Sequence, residues 1–298
     1  MVVARLKRTW PLYVLVLPAI IHFAIFQYVP MYGVQIAFKN YMVTQGIWGS
    51  EWVGFEHFQR FFHSFFFDRI IRNTLLISLY QFALFPVSII VALSLNELSN
   101  GWYKKTVQTI TYAPHFISVV VMSGMVIAFL SPATGIVNKL IVWLGLEPIS
   151  FMTEPGWFKS IFVLSGEWQN LGWGAIIYLA ALTGINPELH EAATVDGATR
   201  LQRIWHINLP GIMPTVIILL ILNVGSFMSI GFERVYLLQN SLNLSASEVI
   251  QTYVYRSGLL EGQYSFSSAV GLFNAMINLV LLLTVNQIAR KFSSTSLL

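Results

Sequence analysis

Between residues 166 and 173, a long apolar run is interrupted by Gly166, Glu167, Gln169, Asn170 and Trp173. Gly166, Gln169, Asn170 and Trp173 fall at i, i+3, i+4 and i+7, the spacing of one helical face. A second apolar run carries Asn223, Ser226 and Phe227 at i, i+3 and i+4. Amide and hydroxyl groups hold hydroxyl-rich solutes such as sugars, and the indole and phenyl rings cover the apolar face of such a solute. The same residue types also hydrogen-bond between packed membrane helices. Both readings stand on sequence alone. Glu167 is a carboxylate inside an apolar segment, so it must be paired, protonated or in contact with water. His22 and His115 have no companion ligand at metal spacing, and no nucleophile stands beside an oriented base, so neither a metal site nor an enzyme is expected.

The elements that must position these groups are membrane helices. Only 10% of the residues are charged, 56% are hydrophobic and the mean hydropathy is +0.67. A soluble domain has about a quarter of its residues charged. Six segments have the roughly 20 apolar residues of a membrane span. They cover residues 12–38, 70–95, 107–130, 158–182, 212–232 and 266–289. The first is too long for a cleaved signal and is read as a retained span. The formal charge of +4 belongs to loops at the membrane surface rather than to a nucleic-acid site. The absence of cysteine excludes disulfides and thiolate metal sites.

With the N-terminus inside, nine of the 17 bases fall in cytoplasmic segments, among them Arg5, Lys7, Arg8, Arg290 and Lys291. These lie in short segments next to the spans, where the positive-inside rule counts them. Both termini and the segment around Glu191 are then cytoplasmic. Residues 1–69 are expected to form an N-terminal segment with the first span and an aromatic outer loop. In that loop, residues 54–68 read as an amphipathic interfacial helix. Residues 70–290 are expected to form a five-helix core, and 291–298 a cytoplasmic tail.

Residues 186–210 are too elaborate for a simple connector. Asn186 suits an N-cap and Pro187 the first helical position, and Gly197 suits a break. Ala192, Ala193 and Ala198 permit close approach, while Glu191 and Asp196 are placed to accept charge-assisted hydrogen bonds from a partner. A solvated helical hairpin is the plainer alternative.

The order E-A-A-x-x-D-G-A from Glu191, with I-x-L-P ending at Pro210, resembles the EAA motif of permease subunits in bacterial ABC importers. L-x-L-P at Leu15–Pro18, W-V-G-F at Trp52–Phe55 and N-T-L at Asn73–Leu75 extend the likeness to carbohydrate permeases. T-Y-V-Y-R-S-G-L from Thr252 and G-Q-Y-S-F-S-S-A-V-G-L-F from Gly262 resemble the polysaccharide and complex-oligosaccharide subgroup, which includes importers of alginate and pectin fragments. The resemblance implies an all-α, six-helix, type I importer (MetI-like) fold in the bacterial cytoplasmic membrane. It implies a coupling role for Glu191, Ala192, Ala193, Asp196, Gly197, Ala198 and Ile204, the last standing where the family has an aromatic. It also implies a substrate pathway through Gly166, Gln169, Asn170, Trp173, Asn223, Ser226 and Phe227, with Glu167 beside them. The implied partners are a second homologous permease, two ATPase subunits, an extracytoplasmic binding protein and an oligosaccharide. The chain has no phosphate-binding loop, so ATP and Mg belong on the ATPase chains. A peptide or amino-acid permease and an ion-coupled secondary transporter are the rival functions.

Overall fold

The computed structural model describes residues 2–99 and 101–292. The side chains of Arg5, Lys7 and Arg8, and residues 293–298 of the expected tail, lie outside the described residues. In chain order the main helices are α1 (Val2–Phe23), α2 (Glu56–Phe62), α3 (Phe67–Asn96), α4 (Trp102–Tyr112) and α5 (Val119–Phe129). They continue with α6 (Ile136–Trp143), α7 (Pro155–Thr183), α8 (Pro187–Val195), α9 (Arg200–Arg203), α10 (Leu209–Gly225), α11 (Phe232–Leu238) and α12 (Tyr264–Phe292).

Among the described residues four segments are long and apolar enough to cross a membrane: Thr9–Phe38, Phe67–Asn96, Arg200–Gly225 and Tyr264–Lys291. At 29 residues α7 also has the length, about 43 Å at 1.5 Å per residue. Its polar residues dilute its hydropathy. The expected third span, 107–130, is not one straight helix. It breaks at residues 117–118 with a bend of 102° between its limbs. Pro114 sits in a 3-10 turn, Ala113–Phe116, and Ser118 accepts a bond from the Val121 N–H to start α5. The carbonyl of Ile117 at the break receives the Gln169 side-chain amide at 2.8 Å. Broken backbone at membrane depth persists only when protein groups satisfy it in this way.

The chain forms two compact units. One comprises residues 1–64 and 254–273. In it a π-helical turn, Ala24–Tyr28, precedes Pro30, and Lys39–Asn40 pairs antiparallel with Glu51–Trp52. The expected interfacial helix over 54–68 is only α2, seven residues long. Gly54, with φ +62°, turns the chain before it, and Phe61 is fully buried rather than presented to lipid. Arg60 crosses to Gln263 Oε1 at 2.6 Å. Trp48, Trp52, Phe55, Phe62 and Phe65 remain exposed, as aromatics at a headgroup layer do.

The other unit holds residues 65–253 and 274–298. One apolar cluster joins Ile77 of α3, Phe158, Phe162 and Val163 of α7, and Val235 and Leu238 of α11. A second joins Ile89 and Ala92 of α3 with Ala175, Tyr178 and Leu182 of α7 and Ile212 of α10. α7 is thus the central post of this unit.

The loop after α5 is closed by one amide. Asn138 Nδ2 donates to the carbonyls of Leu130, Ser131 and Ile149, and its Oδ1 accepts from Ile149 N–H at 2.7 Å. Asn138→Ala removes the side-chain partner of the half-buried Leu130 and Ile149 carbonyls and of Ile149 N–H, while Gly135 N–H still serves the Ser131 carbonyl. An unmet buried group costs about 1–3 kcal/mol. The variant should lose about 2–4 kcal/mol, read as a lower thermal midpoint of the detergent-solubilised chain. An unchanged midpoint would show that other contacts hold the loop.

Candidate functional site

α10 ends at Gly225, and the chain then runs as non-helical backbone to Gly231, whose φ of +38° turns it into α11. Polar side chains from other segments satisfy this irregular backbone. Ser78 donates to the Phe227 carbonyl, and Gln251 donates to the Met228 carbonyl at 2.7 Å. Met228 N–H donates to Asn278 Oδ1 at 2.9 Å. Asn278, placed on an apolar helix, is therefore a backbone partner rather than a free ligand group.

Beside this stretch lies a cavity of about 550 Å³ between α3, α7, α10 and α11. Of the pathway residues expected from sequence, Gly166, Glu167, Asn170, Asn223, Ser226 and Phe227 line it. Gln169 and Trp173 do not. Gln169 is 4% exposed; besides holding the Ile117 carbonyl, its Oε1 accepts a bond from Arg234 Nη2. Trp173 stacks on His115 with ring centroids 4.3 Å apart and planes 5° from parallel. His115 Nδ1 meets Asn170 Oδ1 at 3.0 Å, and Asn170 Nδ2 donates to the Gly166 carbonyl at 3.0 Å. Asn170 is thus oriented by the ring pair it adjoins.

The cavity stripe of α7 runs through Val163, Gly166, Glu167, Asn170, Gly174 and Ile177. This stripe shares Gly166 and Asn170 with the polar face of the sequence pattern but is rotated from it by about a sixth of a turn, away from positions 169 and 173. Periodicity identifies a polar stripe, but it does not distinguish a stripe facing a cavity from one facing a broken neighbour. The sequence pattern did not single out Ser78, Gln81 or Arg234 as lining residues. Arg234 follows a glycine turn in what reads as an outer loop, so nothing in the local pattern carries it into the cavity.

The expected coupling segment forms a separate, outward-facing device. Asn186 caps α8 by accepting from Glu188 N–H at 3.1 Å. At the other end, Gly197 N–H reaches the Thr194 carbonyl and Ala198 N–H reaches the Ala193 carbonyl at 2.8 Å. With φ +76° at Gly197, this is a Schellman closure, which a side chain at that position would strain. Thr199 and Gln202 form a capping box that starts α9, and Arg203 ties back to Thr194 Oγ1 at 3.0 Å. Glu191, Ala192, Asp196 and Gly197 are exposed, whereas Ala193, Ala198 and Ile204 are half-buried. Val195 is 88% exposed. A groove of about 270 Å³ includes Ala193, Ala198 and Gln202.

Comparison with known proteins agrees with this architecture. Residues 84–294 match the family described as the binding-protein-dependent transport system inner membrane component. The chain is 46% identical over 295 residues to Protein LplB of Bacillus subtilis (strain 168), covering 99% of this chain and 93% of that protein. It is 45% identical over 282 residues to the polygalacturonan/rhamnogalacturonan transport system permease protein YteP of the same organism, covering 94% and 88%. It is also similar to a chain of a bacterial alginate ABC transporter solved in complex with an alginate pentasaccharide-bound periplasmic protein. That match has a TM-score of 0.90 and 44% identity, and covers 99% of each chain. The all-α membrane fold expected from sequence holds, and the chain belongs to the family of inner membrane components of binding-protein-dependent transport systems.

Proposed function

We propose that this chain is one of two homologous permease subunits of an ABC importer for oligosaccharides or polysaccharide fragments. The observation that carries the reading is the likeness over 99% of the chain, at TM-score 0.90, to a chain of a bacterial alginate ABC transporter. The amide- and hydroxyl-lined cavity supports it, as a saccharide needs many weak hydrogen-bond partners. An extracytoplasmic binding protein delivers the sugar to the outer mouth. Two ATPase chains, holding ATP and Mg, receive the Glu191–Ile204 segment on the cytoplasmic side, where both termini also lie.

ATP binding draws the ATPase pair together and moves the coupling helices. The permease pair then switches between inward- and outward-facing states, each ligand acting through its unequal affinity for the two. Glu191 supplies charge to the docking contact, and the helix transmits the displacement because both of its ends are capped. In the cavity, Asn170 and Asn223 present amides and Phe227 presents a ring face to the sugar.

Reconstitution tests the reading. Liposomes containing this chain alone should accumulate no labelled oligosaccharide. Liposomes containing the second permease, the ATPases and the binding protein as well should accumulate it in an ATP-dependent manner. Accumulation by the chain unaided would identify a secondary transporter instead.

A further inference from the structure

Among the described residues, Glu167 and Arg234 are the charged groups lining the cavity. Among the described residues no carboxylate lies at ion-pair distance from Arg234. Its Nη2 is held by Gln169 Oε1, a neutral amide, and its Nε is buried without a hydrogen-bond partner. The Phe162 ring lies on one side, 5.9 Å from the guanidinium carbon. On another side Gly166 gives the guanidinium room, since a Cβ there would overlap Nη1 unless the arginine side chain shifted. The ion is thus oriented by Gln169 and given room by Gly166, but its charge is left uncompensated. A half-buried cation in that condition is costly unless an anion joins it.

We propose that Arg234 is the charge-reading group of this cavity and receives the carboxylate of a uronic-acid unit in the transported oligosaccharide. This rests on the oligosaccharide reading above. A guanidinium matches a planar carboxylate better than any other common side chain does. Glu167, also without a hydrogen bond or ion pair among the described residues, supplies the complementary half. It repels the acid group and accepts from sugar hydroxyls. A uronate is therefore admitted in one orientation, with its carboxylate toward Arg234 and its hydroxyl edge toward Glu167.

The test is calorimetric binding of trigalacturonate and of its methyl ester to the assembled, nucleotide-free transporter without its binding protein. The wild type should prefer the free acid by about tenfold or more, the worth of one charge-assisted bond. Arg234→Gln should bring the two ligands to within about twofold of each other. Arg234→Lys should keep part of the preference, because it retains the charge but loses the fork. If Arg234 served only to hold Gln169, the glutamine variant would weaken both ligands alike and leave their ratio intact, which overturns the proposal. Equal affinity of the wild type for acid and ester overturns it too, while leaving the oligosaccharide reading standing. Binding of neither by the wild type overturns it as well, and leaves the oligosaccharide reading to the reconstitution above.

Discussion

Glu191→Lys should reduce the substrate-stimulated ATPase activity and the uptake of the assembled transporter by roughly tenfold or more. The side chain is exposed on α8 and makes no bond within the chain among the described residues. The helix it sits on is fixed independently, by Asn186 at one end, the Gly197 closure at the other and the Arg203–Thr194 tie across. Reversing its charge therefore leaves α8 folded and changes only what α8 presents. Losing one partner of a buried, hydrogen-bonded charge pair at a protein interface costs about 2–5 kcal/mol, and reversal adds repulsion. Even the lower figure is more than a tenfold change in an equilibrium. Glu191→Gln should fall between the two, since it keeps the hydrogen bond and removes the charge. Normal uptake and ATPase activity in the lysine variant would remove the docking role from this residue.

The coupling segment is also where the sequence was most readable, because its structure is local. Asn186, Pro187 and Gly197 each act within four residues of themselves, and their types announce what they do; the Thr199/Gln202 capping box is equally local but was not read from the sequence. The long helices were readable for a similar reason: roughly 20 apolar residues have few other stable fates. The bend at 117–118 was not. Both limbs are apolar, so hydropathy runs straight through the break, and Pro114 alone does not distinguish a kink from a bend of 102°. What stabilises the bend is Gln169, more than 50 residues away in sequence. The cavity was half readable. Asn170 and Asn223 were identified as polar groups out of place, but the rotation of α7 about its axis depends on which neighbours offer broken backbone. Arg234 was beyond reach, because its entry into the cavity depends on the non-helical run after Gly225 and the turn at Gly231.

Gly172→Val should prevent the permease from reaching a stable fold, whereas Gly124→Ala should be tolerated. Both glycines lie inside helices of the same unit, so propensity alone favours replacing either one. Their surroundings differ. A Cβ on Gly124 meets nothing within 4 Å. A Cβ on Gly172 would lie 2.6 Å from the carbonyl carbon of Thr111 and overlap its oxygen. That neighbour is backbone, which has no rotamer to yield, so the cost exceeds the roughly 1–3 kcal/mol usual for overpacking a core. The consequence goes beyond one contact. Thr111 lies on the first limb of the broken segment, and Gly172 lies one turn along α7 from Gln169, which holds the Ile117 carbonyl at the break itself. One stripe of α7 therefore seats both the limb and the corner. Forcing α4 away at Gly172 pulls Ile117 from Gln169, and Gln169 is also what orients Arg234 in the cavity. After heating in detergent, the valine variant should leave little monodisperse protein on size exclusion, while the alanine variant should match the wild type. A valine variant as heat-resistant as the wild type would mean that α4 and α7 do not approach this closely.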